Sequence, residues 1–466
     1  MIEDLLTKSA LELKALMTAR EVSPVEVVEA SLARLEAVEE DCNAFVTVTA
    51  ERALEAARRA EAAYGSGDPA PLAGLPVSIK DVVPVKDIKH TFGSHLFADN
   101  IAALDAPVAE RLDAAGACLI GKTTTDEFGC KATGKSPLTG QTPNPWDLAK
   151  MPGGSSAGAG TSVAAGVTPF SVGTDGGGSV RIPASCTNLF AIKAHFARVP
   201  VFPAVLAPTL FHIGPMSRTV RDAALLLGAI AGYDARDPFS VAEPLPDFVA
   251  ACDEPVSGLR IAWSPTLGFA QPDPEVVEIC GAAVRTFEAL GCEVELVDDI
   301  FEADPFALWQ AEFYAGAGTK LKEAVATRAD VMDPAVCEVL REALAQSLDG
   351  YYATVYERYE LRERFRQFME DYDLLATPTL PVRPFDIGHD VPPQMPDASI
   401  ISWVQYPYPF NLTGNPAASV PAGFTTEGLP VGLQLVSRAL REVDIFRASA
   451  ALETARPWND RRPQIG

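Results

Sequence analysis

Lysine and serine, rather than histidine or cysteine, carry the chemistry this sequence can do. Lys80 closes the apolar run Gly74-Leu-Pro-Val-Ser-Ile-Lys80, and Ser155 and Ser156 stand together in Pro152-Gly-Gly-Ser155-Ser156-Ala-Gly158. Ser179 follows three glycines in Gly173-Thr-Asp175-Gly-Gly-Gly178-Ser179. A serine hydroxyl attacks a carbonyl carbon effectively only when a neighbouring base takes its proton. A lysine is such a base when burial disfavours its charged form, and Val77, Ile79, Val82 and Val83 give Lys80 apolar neighbours. Asp81 would work against this if it pointed the same way, but adjacent residues of a strand face opposite sides. The glycine run lets successive N–H groups turn toward one point, as an oxyanion hole requires. Asp175 and Arg181 flank Ser179 and are expected to pair internally and hold the loop rather than react.

Two other patterns compete and fail on context. Gly116-Ala-Cys-Leu-Ile-Gly121-Lys122-Thr123 matches the written form of a phosphate-binding loop, which needs a strand, a flexible loop and then a helix. Here the interior positions are largely apolar and read as a core strand, with a helix before it that Gly116 ends. Gly154-Ser-Ser156-Ala-Gly158 matches a nucleophile elbow, but the preceding Ala149-Lys-Met-Pro-Gly153 is not the apolar strand that an elbow must follow. That elbow also needs a histidine base, and His195, His212 and His389 stand in no revealing context. None of the five histidines, which include His90 and His95, has a metal-ligand spacing, so no metal is expected.

Taken singly, a lysine after an apolar strand is usually a solvated strand end, and a Gly-Gly-Gly-Ser run is usually a loop. Together, in this order, the three segments resemble the amidase signature family of serine hydrolases. The resemblance extends to Asp105-Ala-Pro107, Gly121-Lys-Thr123, Asn144-Pro-Trp146-Asp147, Gly214-Pro-Met216 and Asn415-Pro-Ala417 through Gly428-Leu-Pro430-Val-Gly432-Leu-Gln434, so it spans nearly the whole chain. It implies Ser179 as nucleophile, Ser155 as a cis-peptide serine that passes protons, and Lys80 as general base. Gly176, Gly177 and Gly178, with Ser179, would supply the oxyanion hole, and no cofactor is implied. The chain departs from the family pattern at Ala157, at Gly176 and at Lys193-Ala-His-Phe196, none of them a triad side chain. Gly176 is expected to leave extra room above the nucleophile, which bears on substrate choice.

The elements that must position these groups are partly legible. Ser9 with Glu12, and Ser23-Pro24 with Glu26, are helix-start signals. Residues 44–49 read as a strand and 50–64 as an Ala-rich helix. From 72 to 200, the expected catalytic core, apolar runs at 77–79, 118–120 and 169–172 alternate with helical segments at 106–115 and 156–166. The texture returns at 259–264, 275–290 and 292–297, and 306–366 is mostly helical. Alternation of this kind points to βαβ units. The expected fold is α/β: one large domain over residues 1–466, a twisted, mixed, largely parallel sheet with helices on both faces, its strand order implied by the resemblance.

Composition narrows the partners. With 38 Lys plus Arg against 62 Asp plus Glu, the 466-residue chain carries a formal charge of −24, which disfavours tracking a polyanion; no nucleic-acid partner is expected. Its apolar stretches are too short to span a membrane, its Met-Ile-Glu-Asp start is not a signal peptide, and its eight cysteines are scattered. A reduced cytoplasmic protein is expected, monomeric or homodimeric. Phe92, Cys130, Met151, Phe196, Trp309 and Phe313, with the apolar run 199–211, are the residues expected to line the substrate pocket. Their character suggests a small neutral aryl amide, anilide or carbamate. The resemblance leaves two rivals: the A subunit of a tRNA-dependent amidotransferase, against which the charge argues, and a non-catalytic binding protein of the same fold.

Overall fold

The helix-start signals become helix starts. In the computed structural model, which describes residues 2–465, Ser9 and Ser23 form complete capping boxes with Glu12 and Glu26 and open the helices Ala10–Ala19 and Pro24–Cys42. Each box satisfies two otherwise orphan N–H groups. The helices Pro107–Ala114, Ala157–Ala164 and Pro274–Ala289 lie where alternation placed them. Residues 306–366 divide into the helices Phe306–Thr327, Pro334–Leu344 and Leu348–Phe368.

The strands are β1 (Phe45–Val48), β2 (Pro76–Lys80), β3 (Cys118–Thr123), the short ribbon of β4 (Lys135–Ser136) and β5 (Gly140–Gln141), β6 (Phe170–Asp175), β7 (Phe190–Lys193) and β8 (His212–Ser217). After them come β9 (Arg260–Trp263), β10 (Glu293–Leu296), β11 (Leu374–Pro378), β12 (Ala417–Phe424) and β13 (Pro430–Ser437). Apart from the ribbon they form one mixed sheet of eleven strands in the order β1-β3-β2-β6-β8-β7-β12-β13-β11-β9-β10. N- and C-terminal parts of the chain thus share a single domain.

Parallel pairing joins β3-β2-β6 on one side of the sheet and β11-β9-β10 on the other. Between these blocks β6, β8, β7, β12 and β13 pair antiparallel. Alternation anticipated the parallel blocks. The antiparallel centre carries Pro215 in β8 and Pro421 in β12, residues that argue against a central strand when only sequence is read.

Successive residues of the strands feed opposite faces. Ile261, Leu374 and Ala376, Ala418 and Val420, and Leu433 and Leu435 join one core, with Ile230, Phe287 and Phe446 from the overlying helices. Their neighbours Ala262, Leu375, Ala417 and Val436 join the core on the other face, with Trp309, Leu340 and Phe365. This is period-two burial on both sides, and it places the Phe306–Thr327 helix on the side where the candidate site opens.

Candidate active site

The C-terminal ends of two adjacent parallel strands deliver the key groups. β2 pairs with β6 with Ile79 opposite Val172, so Lys80 leaves the sheet beside Gly173 and Thr174. Lys80 Nζ donates to Ser155 Oγ at 2.7 Å and to Thr174 Oγ1 at 2.9 Å. Ser155 Oγ in turn donates to Ser179 Oγ at 3.1 Å. The Gly154–Ser155 peptide bond is cis, and a side chain at Gly154 would collide with Asp126 Oδ2 at 2.1 Å. With both hydroxyls turned to donate toward an uncharged Lys80, the same contacts can move a proton from Ser179 through Ser155 to the amine.

The two loops that carry the serines are stitched to each other and to the sheet. Ser156 N–H donates to the Ser179 carbonyl at 3.2 Å, and Ser156 Oγ bonds both the carbonyl and the N–H of Thr174. Ser156 is thus tied up at the start of the Ala157–Ala164 helix, not presented as an elbow nucleophile. The glycine run is closely packed: a Cβ at Gly176 would lie 2.6 Å from the Phe313 ring, one at Gly177 2.8 Å from Trp309, and one at Gly178 2.5 Å from Pro407. Gly178 also has φ +124°, open to glycine and costly for other residues. Phe313 therefore fills the room that Gly176 was expected to leave. Trp309 Nε1 donates to the Gly176 carbonyl at 2.7 Å, fixing that peptide's orientation.

Electrostatics favour an uncharged lysine. Burial pushes the Lys80 pKa down to about 7, against the opposing pull of Asp126 and Asp175. Desolvation wins because Lys80 is fully buried. Asp81 points elsewhere: it pairs with Lys122 Nζ at 3.0 Å and accepts from Thr91 N–H at 2.9 Å. Lys122, the lysine of the phosphate-loop pattern, is therefore a buried partner on β3. Asp175 forms the expected internal pair, with Arg181 Nε and Nη2 each at 2.9 Å from its carboxylate. Burial would raise the Asp175 pKa, but the Arg181 guanidinium and Asn411 hold it well below the usual carboxylate range. Asp175 Oδ1 also accepts from Gly178 N–H at 2.7 Å. Of the three glycines expected in the oxyanion hole, Gly178 thus has its N–H committed within the loop.

Ser179 is 7% exposed. An apolar cavity of about 280 Å³ is walled in part by Val82, Phe92, Phe97, Phe128, Phe211 and Phe313; Lys80, Ser155 and Ser179 do not line it, and its link to them runs through Phe313 and Phe128. Phe313 belongs both to this wall and to the packing over Gly176. Phe128 precedes Gly129, where a side chain would come within 3.2 Å of Ser155 Oγ. Of the pocket residues named from sequence, Phe92 and Phe313 line the cavity, as do 201–207 and Phe211 of the run 199–211. Trp309 sits behind Phe313, stacked at 4.6 Å between centroids. Cys130 and Met151 are buried away from that wall: the Cys130 carbonyl accepts from Tyr314 OH and Met151 Sδ from Gly153 N–H. Phe196 packs on His212 and Phe239 beside a neighbouring cavity. Sequence reading missed Thr174, Asp126, Phe97 and Phe128; only Thr174, two residues before Gly176 in the recognised run, carried any signal.

Among the described residues there is no group of three or more His, Cys, Asp or Glu placed to hold a metal ion, and no helix is long and apolar enough to cross a membrane. A family model described as Amidase matches residues 26–446. The chain is 37% identical to an acylamidase of Rhodococcus erythropolis, over 98% of this chain and 97% of that one. It is 36% identical to the A subunit of the glutamyl-tRNA(Gln) amidotransferase of Moorella thermoacetica, with 98% of each covered. The solved structure of a bacterial aryl acylamidase of the amidase signature enzymes matches with a TM-score of 0.92 at 30% identity, covering 97% of each chain. With a lysine and two serines joined at the ends of adjacent strands and this likeness over the full length, the chain belongs to the amidase signature family and is a hydrolase of amide C–N bonds.

Proposed function

We propose that this enzyme hydrolyses small neutral aryl amides, anilides and aryl carbamates through an acyl-enzyme on Ser179. The observation that carries the reading is the hydrogen-bonded series Lys80 Nζ, Ser155 Oγ, Ser179 Oγ; an aromatic-walled cavity shares Phe313 with the packing over Gly176. Ser179 Oγ attacks the acyl carbon while its proton passes to Ser155, whose own proton goes to Lys80 Nζ. The oxyanion is held by N–H groups of Gly176, Gly177 and Ser179, since that of Gly178 serves Asp175. Lys80 then returns a proton through Ser155 to the departing nitrogen, and water attacks the acyl-enzyme by the same relay run again. A flat apolar ring suits a wall of phenylalanines, where ring pairs add to the gain from burial. The likeness to an acylamidase at 37% identity supports the amide side of the reading.

A panel of chromogenic anilides, aliphatic amides and aryl carbamates tests this. Wild type should cleave the aryl members best, and Ser179→Ala and Lys80→Ala should each lose at least about 10³-fold in kcat/KM, as expected when members of a catalytic unit are removed. Equal activity in wild type and Ser179→Ala would overturn it.

The second reading is the A subunit of an amidotransferase, favoured by the 36% identity to the Moorella thermoacetica protein and opposed by the charge of −24. Hydrolysis of anilides by the purified chain alone supports the first reading; tRNA-coupled glutaminase activity that appears only with partner proteins supports the second.

A further inference from the structure

Two largely apolar cavities adjoin, with one stretch of chain between them. The aromatic-walled cavity of about 280 Å³ and a second of about 180 Å³ share Val201, Phe202, Ala204, Val205 and Phe211 as wall. The second is completed in part by Phe196 and Phe239, whose ring centroids are 5.4 Å apart. Residues 201–205 thus act as a partition. Its ends are held: Val201 N–H donates to Asp237 Oδ2 at 2.9 Å, and the Leu206 carbonyl rests on Gly316, where a Cβ would come within 2.1 Å of it. Between those points the hold is slight. Among the described residues, the only hydrogen bond to 202–205 comes from exposed Lys320, whose Nζ donates to the Ala204 carbonyl at 2.6 Å. The N–H groups of Phe202, Ala204 and Val205 bond nothing in the protein, Pro203 has none to offer, and Pro203 and Ala204 are exposed. The Arg236 guanidinium lies 5.6 Å from the Phe202 ring centroid, a contact on the side of the second cavity, which Arg236 also lines. A stretch with so few hydrogen bonds and so little burial moves at low cost.

We propose that residues 201–205 are a movable partition latched by Lys320, and that its shift toward the second cavity lets the site take aryl amides bearing a second ring at the end of the first. This inference rests on the reading of the aromatic-walled cavity as the aryl site. A cavity of about 150 Å³ is enough for benzene, so the first cavity holds a single-ring amide as it stands, and a second ring draws on the space across the partition. Lys320 acts through the Ala204 carbonyl rather than on the reacting atoms, which makes it a positioning residue that sets how large a ring system enters.

The test compares two substrates in each protein, so that general damage to the enzyme cancels. The ratio of kcat/KM for 4-acetamidobiphenyl over acetanilide should rise about fivefold in Lys320→Met, mainly through KM, the size of one net hydrogen bond lost from the latch. Lys320→Arg, which keeps a cationic donor, should hold the wild-type ratio. A second readout needs no variant at position 320: in a crystal structure of Ser179→Ala with 4-acetamidobiphenyl, the distal ring should occupy space taken from the second cavity, with 202–205 displaced and the bond from Lys320 to Ala204 broken. A ratio unchanged within twofold in Lys320→Met, or a bound biphenyl with the partition unmoved, overturns the proposal while leaving anilide hydrolysis intact. Failure of wild type on every anilide, together with a biphenyl seated across a displaced partition, would instead sink the hydrolytic reading and leave the partition standing.

Discussion

At the scale of single residues, the site depends on a lysine kept dry. Thr174 is the one group besides Ser155 to which Lys80 Nζ donates, and a hydrogen bond to the charged form favours that form. Thr174→Val should therefore lower the Lys80 pKa from about 7, shifting the rise of the pH–rate profile to lower pH. It should also cost about tenfold in kcat/KM, because the amine loses the contact that aims it. A profile shifted upward would contradict this. The three hydrogen-bonded side chains, Lys80, Ser155 and Ser179, were legible because each sits in a short run of unusual composition. Thr174 and Asp126 were not, because their importance arises from strand pairing and loop return, which no local spacing encodes. Phe128 was hidden in the same way: its left-handed backbone, at φ +54°, is set by tertiary contacts rather than by residue type.

At the scale of elements, the glycine loop and the Phe306–Thr327 helix form one unit. Aromatic rings press on the loop where side chains would stand, a steric demand separate from the oxyanion role proposed for its N–H groups. Gly177→Ala would put a Cβ 2.8 Å from the Trp309 indole. It should depress kcat by about 10²-fold, the scale of losing one oxyanion donor, while leaving KM within a few-fold; a large rise in KM with unchanged kcat would show that the loop binds rather than catalyses. The glycines were read from sequence as a device for aligning N–H groups, and the steric half of their role became visible only once a helix some 130 residues away in sequence was placed over them, with Trp309 bonded to Gly176. Capping boxes and amphipathic alternation marked the N-terminal helices and the parallel strands. The central antiparallel strands stayed obscure because β8 and β12 carry proline within a sheet, where propensity points the other way.

At the scale of the whole molecule, a buried polar knot ties the loop that carries Ser179 to the far end of the chain. Arg181 bonds Asp175 on β6, the Pro407 carbonyl, Asn411 and Gln434 on β13, so residues more than 200 positions apart share one guanidinium. Arg181→Met should destabilise the fold by about 3–5 kcal/mol in chemical denaturation, since it strands the Asp175 carboxylate in the interior. Activity should fall too, as Asp175 positions Gly178. A variant of wild-type stability would contradict this role for the knot. The pairing of Asp175 with Arg181 was expected from their places beside Ser179; its reach to Asn411 and Gln434 follows from the sheet order, which local sequence does not reveal.

The mechanism stands or falls on buried Lys80 being the base for Ser179, and the pH dependence of kcat/KM for one chromogenic anilide decides it. Burial lowers the Lys80 pKa from 10.5 to about 7, so the reactive uncharged form grows as pH rises. Activity should climb through about pH 7 to a plateau in wild type and be lost at every pH in Lys80→Ala. A Lys80→Ala enzyme that keeps both the activity and the same rise near pH 7 would show that another group is the base.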